Sequence, residues 1–518
     1  MPIWQRLRSP DGGVLRKLRA AVDQFFFAPS DGASLNLFRI LYCGALACVH
    51  FPQLSRVESL YSNAFSVYFP TPLFDWLGLD QLPLGVVRFA GILLFVTLVS
   101  AAVGLFTRTA LTLAWVSFFL FYGTVLGFEK PYPNAISLYT YHYNNAVLFV
   151  LAILSVSPGV ALWGIDGWRR RQWAWTLSQD SWLSRSYVPI WPTRLIILTL
   201  VLAYFGSGYT KLKASGVLWA DGYTLQGYFL LKHLQEEAWV GYWLSQYYWV
   251  CVGISICTLA LELSFVIVPF VSRKRWLTWC YVGAGLGFHA LTHFTMRITH
   301  FLPFLGLTYL IFLDWPTVQR IGRFLGTGAG RWQKPVEGMP ITEHASFSGY
   351  EGGATWQESF ARAFCLGLPA VLLLCVIGDL ERWPFSAYGV FRDRFHYSQV
   401  QVGQIRGVDG QRGAHWLKAQ DLGSGFKGWY DGSNFIRFYI AQTGRAAEAN
   451  DGRWTQDFLR DGPHILRDFR ELLPAALRVQ WHDLEFVVRS VREDQDGWLV
   501  VVDHVLLSTA RPDHKERQ

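Results

Sequence analysis

A lysine within an apolar stretch is the residue of this sequence best suited to chemistry. Lys211 lies in the run FGSGYTKLKASGVLWADGY, and Lys213 follows two residues later. Because a charge in hydrocarbon costs several kcal/mol, an ionisable residue there is by default a functional candidate. An ammonium beside apolar walls and a second cation gives up its proton more readily, which favours a neutral amine that can act as a base. The alternative is that both lysines extend from a helix end to water.

Small residues precede this lysine. Gly206 and Gly208 would let a neighbouring helix or a ligand approach Lys211 closely, because neither carries a side chain. The sequence therefore predicts that a neighbouring helix or a ligand packs closely against this part of the chain.

Three histidines are candidates to join it. His289 and His293 are four residues apart, so they share one face of a helix. His142 lies in YTYHYNNAVLF, where Asn144 and Asn145 supply neutral hydrogen-bonding partners. The spacing of the first two histidines also suits zinc, but such zinc sites place a glutamate directly after the first histidine, and here an alanine follows it. We therefore expect no metal.

One acidic residue also lies in an apolar segment. Glu262, in the run LALELSFVIV, is either protonated and hydrogen-bonded to a neighbouring helix or paired with an arginine such as Arg39. Both interpretations give it a structural role.

The composition indicates which elements must hold these residues. Of 518 residues, 52% are hydrophobic and 16% are charged, whereas soluble proteins carry roughly 25% charged residues. With 24 Trp, 38 Phe and 23 Tyr, the composition excludes a disordered chain, a coiled coil and an ordinary cytosolic enzyme. The formal net charge is +8, but the basic residues form short clusters between apolar runs, so we expect no nucleic-acid partner.

Apolar runs of membrane-spanning length recur along the chain. A bilayer core needs about 20 apolar residues per helix. About nine segments fit this pattern, near residues 35–52, 84–106, 109–128, 144–165, 193–212, 248–271, 276–295, 300–313 and 362–379. Basic clusters fall in alternate loops, as expected when the N-terminus is cytoplasmic. The sequence predicts a polytopic all-α membrane bundle of about nine transmembrane helices, followed by a small exported α+β domain.

Composition divides the chain into five predicted parts. They are an N-terminal interfacial amphipathic segment (1–33), the main transmembrane domain (34–315), a Gly/Pro-rich inner-face linker (316–361), the last transmembrane helix (362–380) and an extracytoplasmic α+β domain (381–518). In the last part, alternating apolar residues predict strands near residues 400–405, 435–440, 486–491 and 498–507, and a helix is predicted over residues 454–477.

The predicted topology places three ionisable residues at one depth. Lys211, His142 and His289 all fall in the outer half of the bilayer. We expect them to surround one apolar chamber just beneath the extracytoplasmic surface. A transporter is disfavoured, because its ionisable groups would form a path across the bilayer.

Ordered landmarks in the chain resemble one known family. They are SLNLFRILYCG in the first span, HYNN at 142–145, WGIDG at 163–167, VPIW at 188–191, the YTKL run from Tyr209, and FH at 288–289. In order and spacing they resemble the vitamin K-dependent gamma-carboxylase family and its bacterial relatives, the horizontally transferred transmembrane (HTTM) proteins. The resemblance covers residues 34 to 315 and implies a protein of the bacterial inner membrane.

The resemblance implies a chemistry. In that family a lysine deprotonates a bound hydroquinone, which reacts with oxygen and becomes a base strong enough to remove a proton from the gamma carbon of a glutamate; the carbanion then captures carbon dioxide. The base falls on Lys211, and one family histidine falls on His289. A second family histidine lies within a residue or two of His142, and Asn144 or Asn145 is the alternative at its place. The remaining residues expected to bind this cofactor are Tyr209, Asn144, Asn145, His293 and Trp219. Membrane lipid and a lipophilic quinone-like ligand are the expected partners, with oxygen and carbon dioxide as co-substrates.

The chain also departs from that family. Thr210 stands where the family has a lysine, and Lys213 where it has an acidic residue. The exported part is much shorter than in animal carboxylases and has no counterpart of the region that binds the propeptide. Glutamate carboxylation is therefore not implied, and a secreted peptide or protein substrate is left open. The alternative to a quinol-using enzyme is a non-catalytic maturation or binding factor for a secreted peptide or lipid.

Overall fold

The structure is a computed structural model of the chain. It describes residues 13–62, 67–129, 141–169, 187–271, 274–298, 301–314, 317–318, 320, 356–378, 380–382, 385–386, 396–417, 421, 435–436, 438–439, 442–443 and 456–510. Most of the predicted linker at 316–361 lies outside these residues.

Helices dominate the described part of the chain. In chain order they are α1 Gly13–Phe27, α2 Gly32–His50, α3 Gln53–Ser62, α4 Pro72–Trp76, α5 Leu84–Val103, α6 Thr107–Glu129, α7 Tyr141–Val156, α8 Trp191–Ser215, α9 Tyr223–Glu236, α10 Trp239–Ser245, α11 Tyr248–Ser264, α12 Val268–Val271, α13 Arg275–Met296, α14 Phe301–Phe304, α15 Trp356–Gly378, α16 Gln456–Glu471 and α17 Ala475–Gln480. The strands are β1 Pro29–Asp31, β2 Tyr187–Pro189, β3 Glu381–Arg382, β4 Phe385–Ser386, β5 Gln401–Asp409, β6 Ala414–Trp416, β7 Trp481–Glu493 and β8 Leu499–Ser508.

Several helices of the described residues are suited to spanning a membrane. Within the described residues, six helical segments are long and apolar enough to cross a membrane: Gly32–Ser62, Leu84–Val103, Thr107–Phe128, Trp191–Ala220, Tyr248–Val271 and Ser359–Gly378. They correspond to six of the nine predicted segments. The chain is a membrane protein whose apolar helices are suited to contact with lipid.

The other three predicted spans have a different form, so the count of nine is not confirmed. The fourth is α7, which has only 16 residues and ends just before Pro158 and Gly159, both poor helix formers. The seventh is α13, long enough at 22 residues but less apolar, because it carries two histidines and several threonines. The eighth consists of α14 and a 3₁₀ turn at Gly306–Phe312.

The WGIDG landmark ties three helices together. Arg39 of α2 donates hydrogen bonds of 2.8 Å to the carbonyl oxygens of Ala101 and Trp163. The Asp166 carboxylate accepts from the backbone N–H of Thr107 at 2.7 Å and so caps the start of α6. This landmark is therefore structural.

The C-terminal sheet region, comprising β5 to β8 with α16 and α17, is a four-stranded antiparallel sheet in the order β6-β5-β7-β8. Three of the predicted strands and the predicted helix are present. The strand predicted near 435–440 is wrong, because Phe435 and Phe438 lie in helical turns and their spacing of three puts both on the inner face of a helix. Their rings pack with Phe469, in α16, in the core of this region.

This sheet region packs directly on α9 and α10. Gln404 of β5 donates through its side-chain amide to the carbonyl oxygen of Leu234 at 2.7 Å. The Tyr242 hydroxyl donates to the carbonyl oxygen of Leu499 at 2.9 Å. Around these bonds lies an apolar cluster that includes Leu230. The sheet is thus attached to the helical bundle through α9.

Candidate functional site

Lys211 forms a buried ion pair. Its side chain, near the end of α8, is 3% exposed, and its Nζ lies 2.7 Å from Oε1 and 2.9 Å from Oε2 of Glu262 in α11. The same Nζ donates to Ser207 Oγ at 2.7 Å, and Ser207 donates in turn to Glu262 Oε1 at 3.0 Å. Charges at this depth persist only when they are paired and hydrogen-bonded, and these three groups meet that condition for each other.

A glycine allows the pair to form. A Cβ atom at Gly208 would lie 3.0 Å from Glu262 Cβ and 3.1 Å from Leu263 Cδ2, tighter than ordinary van der Waals contact. The close approach of α8 and α11 at this point therefore favours a residue without a side chain. The neighbour that the sequence predicted beside Gly208 is α11.

Trp219 covers the other side of the amine. After α8 ends, a 3₁₀ turn from Gly216 to Ala220 returns the chain, and the buried indole of Trp219 comes to lie against Lys211, with Nζ 5.1 Å from the ring centroid. Gly216 has a φ of +62°, which favours glycine, so the residue type at the turn fits its backbone. The ammonium and the indole are placed for a cation–π contact.

Lys213 has a separate role. It is exposed, and its Nζ donates to the carbonyl oxygen of Ile377 at 3.0 Å, near the end of α15. Residues two apart on a helix do not share a face, so the expectation that Lys213 acts on Lys211 as a neighbouring cation is wrong. The group facing Lys211 is the carboxylate of Glu262.

A second polar group is built around His289. Its Nε2 lies 2.7 Å from the hydroxyl of Tyr204, two helical turns before Lys211 in α8. The Tyr309 hydroxyl lies 2.6 Å from that of Tyr204, so three polar side chains form one hydrogen-bonded chain. Gly285 makes room for it, because a Cβ there would collide with the Tyr309 hydroxyl.

Both groups line one cavity of about 90 Å³ between α8, α9, α11 and α13. Apart from the two polar groups and a few threonines, its walls are apolar and aromatic, as at Tyr228, Phe229 and Phe288. At 10–15 Å³ for each water position, it has room for roughly six to nine waters. That space is comparable with a compact aromatic head group.

Three of the predicted site residues face this cavity. They are Lys211, His289 and Trp219. Tyr209 instead stacks on Phe205, with ring centroids 6.0 Å apart, and is half-buried away from the cavity. His293 is half-buried one turn beyond His289 and packs against Phe294.

The remaining predicted site residues come from α7. Asn144 and Asn145 are buried, but neither is among the described residues that line the cavity. The side chain of His142, at the start of α7, lies outside the described residues. Its predicted role stays a prediction.

Four residues of the two polar groups were not among the predicted site residues: Glu262, Ser207, Tyr204 and Tyr309. Glu262 was predicted to have a structural role with Arg39 as one possible partner, but Arg39 binds backbone carbonyls and Glu262 binds Lys211. A carboxylate within an apolar helix was itself a signal of function. Tyr204 gave no sequence signal beyond its spacing of seven from Lys211, which places both on one helix face.

The arrangement of these groups suits proton transfer. Within the described residues, no three His, Cys, Asp or Glu side chains lie close enough together to hold a metal ion. An amine, a carboxylate, an imidazole and two phenols face or adjoin a space with largely apolar walls, where hydrogen bonds to a ligand are strong. These groups can orient a hydroxyl or carbonyl and accept or donate its proton.

Comparison with known proteins gives one match. The sequence model of the HTTM domain matches residues 27–315, which is more than half of the chain and includes both polar groups of the cavity. No curated protein and no solved structure matches.

Proposed function

Because the chain belongs to the HTTM domain family, we propose that it is a membrane enzyme that binds a quinol-type lipid in the cavity and uses Lys211 as the base toward a ring hydroxyl. The single observation that carries this proposal is the Lys211–Glu262 pair at the wall of an apolar, aromatic-lined cavity. A buried ion pair rarely adds stability over apolar packing, so its presence at a ligand-sized space favours a chemical role.

Lys211 can accept a proton only as a neutral amine. Glu262 shares two hydrogen bonds with it and can take the ammonium proton, which leaves an amine and a carboxylic acid with no net charge. A ring hydroxyl within reach of Nζ would then pass its proton to Lys211. The pair therefore supplies a base without placing an unpaired charge in the membrane.

His289 would hold the part of the ring opposite the hydroxyl that faces Lys211. Its imidazole is fixed by the Tyr204 hydroxyl at 2.7 Å, so its orientation is set before a ligand arrives. Aromatic walls at Tyr228 and Phe288 suit a flat ring. When bound, a hydroquinone supplies two electrons for the reduction of dioxygen.

The proposed location of the protein follows the topology predicted from the sequence. We place the protein in a bacterial inner membrane, with a cytoplasmic N-terminus and the C-terminal sheet region on the outer side, where a secreted peptide or protein would meet it. Glutamate carboxylation and a need for carbon dioxide are not part of the proposal.

The test is oxygen uptake by the purified protein in lipid nanodiscs supplied with menadiol, after subtraction of uptake in empty nanodiscs. Lys211→Met should abolish the protein-dependent rate. Lys213→Met is the matched control, because Lys213 is exposed and bonds to α15, and it should retain the rate. Equal rates for wild type and Lys211→Met would remove Lys211 from the mechanism.

A second candidate function is a non-catalytic binding or maturation factor. The observation that favours it is the attachment of the C-terminal sheet region to α9, which also forms a wall of the cavity. Mass spectrometry of lipids that co-purify with the protein separates the two functions. A bound quinone supports the enzyme, whereas a phospholipid or peptide supports the binding factor.

A further inference from the structure

The charges that face the cavity cancel. Among the described residues that line it, the only lysine is Lys211 and the only acidic residue is Glu262; their polar atoms lie 2.7 Å apart, and both side chains are 3% exposed. The pair has no net charge whether the shared proton lies on Nζ or on the carboxylate. The other polar groups on the described wall are hydroxyls, such as those of Thr258 and Thr292, the indole of Trp219 and the imidazole of His289. The described wall therefore presents hydrogen-bonding groups and an ammonium already neutralised by its own carboxylate.

This balance decides which ligands the cavity accepts. An anion placed beside Lys211 would also lie beside the Glu262 carboxylate, whose repulsion offsets the attraction of the ammonium. The anion would still lose its hydration, a cost that is not recovered without a counter-charge of its own. An uncharged hydroxyl or carbonyl loses far less hydration and can bond to the same groups.

We infer that Glu262 is a specificity-determining residue that restricts the cavity to uncharged head groups and excludes carboxylates, phosphates and ionised enols. This inference rests on the proposed function, since it assumes that the cavity binds a ring-bearing lipid. It names the charge class of that lipid. Without Glu262, the same cavity would present a single unneutralised ammonium and would bind anions.

A purely structural role for Glu262 predicts something different. If the carboxylate only holds α11 against α8, its replacement changes the affinity for charged and uncharged ligands in equal proportion. The ratio of the two affinities therefore separates specificity from structure, and a general loss of stability does not alter that ratio.

The experiment uses two naphthoquinones of nearly equal size. 2-Methoxy-1,4-naphthoquinone is uncharged, and 2-hydroxy-1,4-naphthoquinone is an anion at neutral pH. Equilibrium dialysis against full-length protein in nanodiscs, corrected for partition into empty nanodiscs, gives a dissociation constant for each probe. Glu262→Gln keeps the side-chain size and removes the charge. Glu236→Gln is the matched control, because Glu236 pairs with Lys232 in α9 and is not among the described lining residues.

Wild type and Glu236→Gln should bind the uncharged probe more tightly. Glu262→Gln should shift the ratio of the two dissociation constants at least tenfold toward the anion.

A second variant serves if Glu262→Gln folds poorly. The double variant Lys211→Met/Glu262→Leu has an uncharged wall and should keep the wild-type preference for the uncharged probe. An unchanged ratio in Glu262→Gln, or equal binding of both probes by wild type, overturns the charge inference alone. Binding of neither probe by wild type overturns both this inference and the proposed ligand class.

Discussion

Lys211 and Glu262 are 51 residues apart in the sequence, yet the amine of one lies within 2.9 Å of both carboxylate oxygens of the other. Two helices, α8 and α11, hold the pair, and Gly208 lets them approach. The pair is almost inaccessible to water and borders a cavity. Its removal should therefore affect both the stability and the ligand preference of the protein.

The first prediction concerns stability. Lys211→Met leaves the Glu262 carboxylate buried without its ammonium, and breaking a buried pair in this way costs about 3–5 kcal/mol. The double variant Lys211→Met/Glu262→Leu removes both charges and should recover most of this loss. Unfolding by denaturant in mixed micelles measures the difference. A double variant as unstable as the single one would show that packing, not the unpaired charge, causes the loss.

The second prediction concerns the glycine beside the tyrosine pair. Gly285→Ala places a methyl group against the Tyr309 hydroxyl and should disrupt its bond to Tyr204, at a cost of about 1–3 kcal/mol from overpacking. Gly283 and Gly287 are the controls on the same helix, because a Cβ at either meets no described atom within 4 Å. Their change to Ala should be neutral or slightly stabilising. Thermal unfolding of the three variants checks this, and equal effects at all three positions would contradict it.

Much of the fold follows from the sequence because lipid imposes simple rules. Long apolar runs predicted the six helices that can span a membrane, since only a helix satisfies its backbone within hydrocarbon. The runs near residues 144–165 and 300–313 predicted more helix than is present. Pro158 and Gly159 follow α7, and residues 301–312 divide into two short turns. Hydropathy alone does not detect such interruptions.

The site was less accessible to sequence reasoning. Lys211 stood out because its charge is costly in an apolar segment. Glu262 stood out for the same reason, but its pairing with Lys211 was not predicted. That pairing depends on how far α8 and α11 are rotated and shifted against each other, and no short spacing in the sequence encodes this. Tyr209 is two residues from Lys211 and therefore lies on another face of α8, where it stacks on Phe205. His293 is four residues from His289, but it packs against Phe294 and is not among the described residues that line the cavity.

The third prediction concerns attachment of the C-terminal sheet region. Gln404 donates to the carbonyl oxygen of Leu234 and accepts from Arg489 Nη1 at 3.1 Å, while the residue itself is 8% exposed. Gln404→Leu leaves both partners without this amide and should weaken attachment by about 1–3 kcal/mol. Gln401→Leu, at the exposed start of the same strand, is the control. Limited proteolysis should cut the sheet region faster in the first variant only, and equal rates would count against a role for the amide.

The last prediction is a pH dependence of the same attachment. Burial, reinforced by the positive charge of Arg489 and opposed by Glu237, lowers the pKa of His233 from 6.5 to about 4. Between about pH 6.5 and about pH 4, His233 therefore stays neutral in the folded protein but gains a proton in the unfolded chain. Proton binding stabilises the unfolded chain as the pH falls through this range. Stability should decline across this window and level off below it.

His233→Phe should flatten this decline, because phenylalanine keeps the ring contact with Tyr242, whose centroid lies 4.4 Å from the imidazole, but cannot titrate. His504→Gln, at an exposed position of β8, should leave the decline unchanged. Melting temperatures between pH 7.5 and pH 4, taken as the difference between wild type and each variant, cancel the titration of all other groups and isolate this one. A decline of the same size in His233→Phe would mean that another group titrates in this window and that the neutral imidazole beneath the sheet contributes nothing to the pH dependence.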